Sequence, residues 1–297
     1  MVDKPVVFYD SGVGGLPYLA WVRGRLPGAS FVYVADTVNF PLGEKPIEEV
    51  KRRVVETIER IIGLFDPVLI VIACNTASVT TLSTLRSKFP VPFVGVVPAI
   101  KPAATNSVYR RIGLLATSRT VADLYTENLI EMFAAGCTVV RQAEGHLVEF
   151  VECRYLHSSL DERMRIITPL AKHFKEERVD SVVLGCTHFL FLKEELARAL
   201  GPEIRIIDSV EGVGRQTIRL LRDWYTESRT RYCRRAGKQP DHTATISIGR
   251  FFHTGPICED RNDLNAFAER FGLEYAGIPA GSAAPILRRE RLRRHHT

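Results

Sequence analysis

Val68-Leu69-Ile70-Val71-Ile72-Ala73-Cys74-Asn75-Thr76 decides how the rest of the chain is read. Its apolar run is rich in β-branched residues and is entered through Asp66-Pro67, the pattern of a parallel strand buried on both faces. Cys74 therefore sits where a strand ends. Thr76 is a good N-cap for a segment with Val79, Leu82, Leu85 and Phe89 at roughly helical spacing, so the cysteine lies at a helix N-terminus, where thiolate is favoured. A near-copy lies further on: Ser181-Val182-Val183-Leu184 is a strand, Gly185-Cys186-Thr187-His188 comes next, and Leu192, Leu196 and Leu200 mark the helix beyond. Two cysteines share one structural address. Moving a proton between the two faces of a carbon needs a base on one side and an acid of near-matched pKa on the other, and a thiolate and a thiol meet that need.

Outward from Cys74, the elements repeat. Val6-Val7-Phe8-Tyr9 is a buried strand that delivers Asp10-Ser11 into a glycine-rich turn with Gly12, Gly14 and Gly15, a turn whose N–H groups can approach an anion. Pro17 stands where a dinucleotide fingerprint needs its third glycine, and no Gly-Lys-Ser/Thr is present after it for a phosphate loop. Phe31 to Val34 is the next strand, ending at Asp36-Thr37, with Asp36 either an accessory acid or base or a turn former. Ile47, Val50, Val54, Ile58, Ile61 and Ile62 fall on one face of a covering helix. After the Cys74 strand and helix, a short strand ends at Gly95-Val96-Val97-Pro98. Ile112 to Leu115 restarts the pattern, and Thr117-Ser118 and Thr120 provide N-cap chemistry for one helix through Met132. The strand Thr138-Val139-Val140 is next, and then a helix over Leu160–Phe174 despite Pro169. Ile204 to Ile207 is a further strand, and Val213, Leu220, Leu221 and Trp224 belong to a return helix. Residues 229–243 read as an exposed excursion, 244–252 as a strand, and Leu264, Phe267, Ala268 and Phe271 as a last helix.

The chain has 297 residues and 45% hydrophobic content, ordinary for a globular enzyme of one large or two modest domains. No apolar run is long enough for a membrane span, and the N-terminus lacks the basic and apolar regions of a signal peptide, so a cytoplasmic location and reduced thiols are expected. The net charge of +6 is concentrated at the end: residues 225–297 hold 13 Lys/Arg against 8 Asp/Glu. The basic tail lacks interleaved aromatics, and neither nucleic acid nor membrane is expected as a partner.

Together with Asp10-Ser11-Gly12-Val13-Gly14-Gly15, Asp36-Thr37 and Pro41-Leu42-Gly43, the cysteine segments resemble the glutamate racemases of the aspartate/glutamate racemase family, from about residue 5 to about residue 225. The resemblance implies an α/β protein of two pseudo-symmetric domains, each a mainly parallel sheet flanked by helices, with the active site in the cleft between them. The expected division is residues 1–97 plus 209–285, carrying Cys74, and residues 98–208, carrying Cys186, with 286–297 a disordered basic tail. The implied reaction interconverts L- and D-glutamate without cofactor or metal, supplying D-glutamate for peptidoglycan. Cys74 and Cys186 exchange the α-proton, supported by Asp10, Glu152 and His188. Substrate contacts fall to Asp10, Ser11, Leu42, Gly43, Asn75, Thr76, Thr187 and His188, and a homodimer is the expected assembly.

Departures accompany the match. Leu42 stands where the family usually has tyrosine, and Glu144-Gly145 where it has Cys-Pro, so Glu152 is placed by the Leu147-Val148-x-Phe150-Val151-Glu152 ending, with a solvated helical glutamate as the alternative. Other uses of the residues remain open: zinc held by Cys74, Cys186, His188 and an aspartate, a disulfide, an acyl-transfer enzyme using Cys186 and His188 alone, an aspartate racemase, or a binding protein that retains the pocket without turnover.

Overall fold

The computed structural model describes residues 4–236, 249–255 and 262–279. The chain opens with β1 (Val6–Asp10), α1 (Leu16–Arg23), β2 (Phe31–Ala35), α2 (Ile47–Phe65), β3 (Leu69–Ile72), α3 (Asn75–Lys88) and β4 (Phe93–Gly95). A second series comes after it: α4 (Ile100–Asn106), β5 (Arg111–Ala116), α5 (Ser118–Ala122), α6 (Leu124–Ala134), β6 (Thr138–Ala143), α7 (His146–Cys153), α8 (Leu160–Glu176), β7 (Ser181–Gly185), α9 (Lys193–Leu200) and β8 (Arg205–Ile207). The chain then returns through α10 (Val210–Ala236) to β9 (Arg250–His253), α11 (Asn262–Arg270) and β10 (Glu274–Gly277).

Two sheets result, ordered β10-β9-β2-β1-β3-β4 and β6-β5-β7-β8, and every described strand pairing is parallel. Both obey the α/β rule that parallel strands are joined by crossover helices, which bury both sheet faces. The alternation is visible residue by residue: Val6, Phe8, Phe31, Tyr33, Leu69 and Val71 enter one apolar cluster, while Val7, Tyr9, Val32, Val34, Ile70 and Ile72 enter another with Val50, Val54, Ile58 and Ile61 of α2. The first cluster continues into Val182, Leu184, Phe189 and Leu196, so one body of core runs from the first sheet to the second. Each such side chain contributes about 1.5–3 kcal/mol when fully buried, and truncating one at the junction would loosen both units.

Several local readings change. α3 starts at Asn75 with Cys74 as its N-cap, so Thr76 lies in the first turn instead of capping it. The helix expected through Met132 is two: Asp123 accepts from the Tyr125 N–H and caps a new start there. The return helix runs to Ala236, into the stretch read as an excursion. Residues 237–248, which include most of the strand read over 244–252, and the tail from 280 lie outside the described residues. β10 answers to no sequence expectation; it pairs with β9 at the sheet edge and is only half-buried, so its pattern is weak. Cys153 is disulfide-bonded, against the expectation of reduced thiols throughout, whereas Cys74, Cys137 and Cys186 are free. No helix among the described residues is long and apolar enough to cross a membrane.

Candidate active site

In parallel sheets, ligands gather at the carboxyl ends of the strands. β1 ends at Asp10, β3 leads to Cys74 and β7 leads to Cys186. Both cysteines leave their strands extended, with φ −129° and ψ 123° at Cys74 and φ −140° and ψ 134° at Cys186. Beyond them the two paths diverge. Cys74 caps an α-helix, whereas Cys186 enters a 3-10 stretch over Thr187–Leu192 before α9. Both thiols line one cavity, together with Ser11, Leu42, Gly43, Asn75, Thr76, Thr187 and His188.

Hydroxyl and carboxylate groups surround Cys74. The Ser11 Oγ lies 3.8 Å from its Sγ and 3.4 Å from Asp10 Oδ1, so a serine stands between thiol and acid. Asp10 is fully buried and accepts from the Gly12 N–H at 2.8 Å and the Thr187 hydroxyl at 2.9 Å. Burial pushes its pKa up to about 6, against the pull of His188 and of these two donors. Burial and then the nearby Asp10 charge push the Cys74 thiol well up, outweighing the Ala77 N–H and the Ser11 hydroxyl. The expectation that a helix N-terminus leaves this thiol ionised is thus overturned, because desolvation of a cysteine only 6% exposed is the larger effect.

Cys186 faces an imidazole. Its Sγ is 3.8 Å from His188 Nδ1, and His188 Nε2 lies 2.5 Å from Glu152 Oε1. Burial disfavours a charged ring here, but the Cys186 bond and the bond and charge of Glu152 prevail and hold His188 well above its ordinary pKa. Glu152 is buried and also accepts from the Val13 N–H at 2.6 Å, so the anion met by the glycine-rich turn is a protein carboxylate. The solvated alternative for Glu152 is thereby excluded. The turn's glycines are sterically required: a Cβ on Gly12 would overlap Glu152 Oε1, and one on Gly14 would lie 2.7 Å from His188 Nδ1.

Polar capacity is left over. The Asn75 amide is buried with neither its nitrogen nor its oxygen partnered, and Glu152 Oε2 is likewise unpartnered. Leaving such groups dry and unpaired costs about 1–3 kcal/mol each, which a ligand carrying carboxylate and ammonium groups can relieve. Thr76 reaches across to Thr117 at 3.0 Å and Thr120 at 3.2 Å, joining the first unit to the second.

Asp10 and Glu152 stand behind the cavity wall; the other predicted site residues line the cavity itself. Asp36 does neither: it is a buried hub accepting from Tyr9, Asn39, Thr57 and Thr254. Pro41, Glu44, Thr117, Ser118, Gly145 and Val148 complete the lining and were not read as site residues. A threonine pair just past β5 was the available signal, since β5 neighbours β7 in the sheet. Among the described residues, no group of three or more His, Cys, Asp and Glu side chains is arranged to hold a metal ion.

Residues 19–215 match the family model described as Asp/Glu/Hydantoin racemase. A glutamate racemase of Proteus mirabilis (strain HI4320) is 47% identical over 223 residues, 74% of this chain and 76% of that one. A glutamate racemase of Treponema pallidum (strain Nichols) is 40% identical over 274 residues, 91% of this chain and 95% of that one. Among solved structures, the Escherichia coli glutamate racemase in complex with L-glutamate and the activator UDP-MurNAc-ala superposes with a TM-score of 0.77 at 35% identity, over 93% of this chain and 98% of that one. By sequence and by fold, the chain belongs to the Asp/Glu/Hydantoin racemase family and groups there with the glutamate racemases.

Proposed function

We propose that this protein interconverts L- and D-glutamate by a two-base proton transfer between Cys74 and Cys186, with no cofactor. One observation carries the reading: two buried thiols at equivalent strand ends line one cavity, each backed by its own proton-handling groups. One sulfur, as thiolate, takes the Cα proton; the other, as thiol, gives a proton to the opposite face, and the two exchange roles in the reverse direction. His188, whose charged form is favoured, hands a proton to the Cys186 thiolate and, once neutral, takes it back from the thiol, while Glu152 steadies the ring. On the other side Ser11 and Asp10 serve Cys74. Arrival of the substrate ammonium places a positive charge beside Cys74 and Asp10 and lowers the cost of their anions. Ser11, Gly43, Asn75, Thr76 and Thr187 hold the carboxylates, Leu42 packs beside them, and fixed dipoles in a dry cleft stabilise the carbanion.

Glutamate is favoured as substrate by the named relatives and by the complex of the Escherichia coli protein with L-glutamate. Supply of D-glutamate for peptidoglycan, a cytoplasmic setting and a homodimer belong to the same proposal. The test is incubation with either enantiomer and no added pyridoxal phosphate, monitored by circular dichroism. Loss of optical activity is expected, with kcat/KM at least about tenfold higher for glutamate than for aspartate; a preference for aspartate would reassign the substrate. The Cys186–His188–Glu152 chain also suits a single-nucleophile acyl-transfer enzyme. Full activity in Cys74→Ala would favour that second reading.

A further inference from the structure

The cavity between the two thiols has a volume of about 30 Å³, whereas sites that take small molecules run to roughly 300 Å³ or more. The cleft is therefore shut, and a substrate reaches the sulfurs only after something moves. The way in is marked by exposure: of the lining residues, Glu44 and Ser118 are exposed, and the others are buried or half-buried. They come from opposite units and line the same cavity. Glu44 belongs to the loop Pro41–Lys45 of the first unit, and Ser118 opens α5 of the second.

This loop lies hard against the second unit. A Cβ on Gly43 would fall 2.8 Å from the Thr117 Cβ, and one on Gly145, at the start of α7, would fall 2.9 Å from Glu44 Oε1. The loop is also tied: the half-buried Arg119 of α5 donates from Nε to the Lys45 carbonyl at 3.2 Å. Arg119 touches neither thiol nor the groups that serve them. Its bond spans the two units at the rim of the entrance, so it exists only while the loop is down. A charge-assisted bond of this kind is stronger than a neutral one and favours the closed state.

We propose that Arg119 is a positioning residue that latches the Pro41–Lys45 loop over the cleft, holding the entrance shut during proton transfer and releasing it when glutamate enters or leaves. The inference rests on the reading of the cleft as the glutamate site. Its test compares steady-state kinetics of wild type, Arg119→Gln and Arg119→Lys in both directions, with increasing sucrose to slow diffusive motions. Loss of one charge-assisted bond from the closed state corresponds to about a tenfold weakening. Arg119→Gln is thus expected to ease opening and so raise kcat for both enantiomers, by up to about tenfold, with lower sensitivity to viscosity and kcat/KM not below that of wild type. Arg119→Lys, which keeps the charge without the planar donor, is expected to raise kcat less, and serves also if the Gln variant folds poorly. Unchanged kcat with unchanged viscosity sensitivity in both variants would overturn the latch, and so would a loss of kcat. Wild type that leaves glutamate untouched would defeat the underlying reading, and the latch with it.

Discussion

Cys74 and Cys186 leave their strands with nearly the same backbone, yet one faces a serine and an aspartate while the other faces a histidine and a glutamate. The shared address comes from parallel-sheet topology, which repeats. The surroundings come from the loops, which do not. On the Cys74 side two acids discourage each other's charge, and burial raises both. On the Cys186 side a cation is held in place by a buried carboxylate. A two-face proton transfer needs matched reactivity of its two sulfurs only when substrate is present, so their protein surroundings need not match.

The largest expected effect comes from removing either sulfur. Cys74→Ala and Cys186→Ala should each lower kcat/KM by at least about 10³-fold, within the range lost with a general acid or base, and racemisation assays would show it. The equilibrium constant of a racemisation is one, so kcat/KM must fall equally in both directions. The lopsidedness therefore has to be sought in single-turnover exchange, where each alanine variant should exchange the Cα proton of a different enantiomer.

Asp10 gives the next effect, on the Cys74 side of the comparison. Its pKa in the folded protein, about 6, lies above the ordinary value of 3.8, so the folded state binds the proton more tightly between those values. Stability contributed by this group is present below about pH 4 and is lost as pH rises through 6, up to about 3 kcal/mol in all. Asp10→Asn should lack that slope, and denaturant unfolding of both proteins from about pH 4 to about pH 7 would reveal the difference. A parallel pH dependence would contradict the raised value.

His188→Gln should cost about 10²-fold in kcat, with the pH–rate profile losing a limb, while Glu152→Gln should cost less because the ring keeps its place. The smallest effect is a contrast between glycines. Gly12→Ala meets Glu152, whereas a Cβ on Gly63 in α2 would meet nothing within 4 Å. Gly63→Ala should therefore stabilise the protein by about 0.5–1 kcal/mol with unchanged kinetics, and Gly12→Ala should lose activity.

Much of this was legible in the chain. Short apolar runs leading into Asp10, Cys74 and Cys186 mark parallel strands, and strand ends are where such folds place ligands. Glu152 is legible only through the family resemblance of its Leu147-Val148-x-Phe150-Val151-Glu152 ending. The turn at Gly12 and Gly14 was read as an anion cradle, but its anion, Glu152, lies 139 residues away from the Val13 N–H that holds it, a contact no local pattern encodes. Thr117 was read as a helix cap and does receive the Thr120 N–H; its second task beside Thr76 depends on how the two units meet. At Cys74 the helix N-terminus is visible in sequence, whereas the desolvation that outweighs it is not.

The central claim, that two thiols address opposite faces of one carbon, is tested most directly in heavy water. L-glutamate and D-glutamate are each converted to a few per cent, and deuterium at Cα is measured separately in product and recovered substrate. The account predicts product fully deuterated and substrate still carrying protium, in both directions. Protium retained in the product, or early deuterium in the recovered substrate to the same extent as in the product, would point to one base serving both faces and would contradict it.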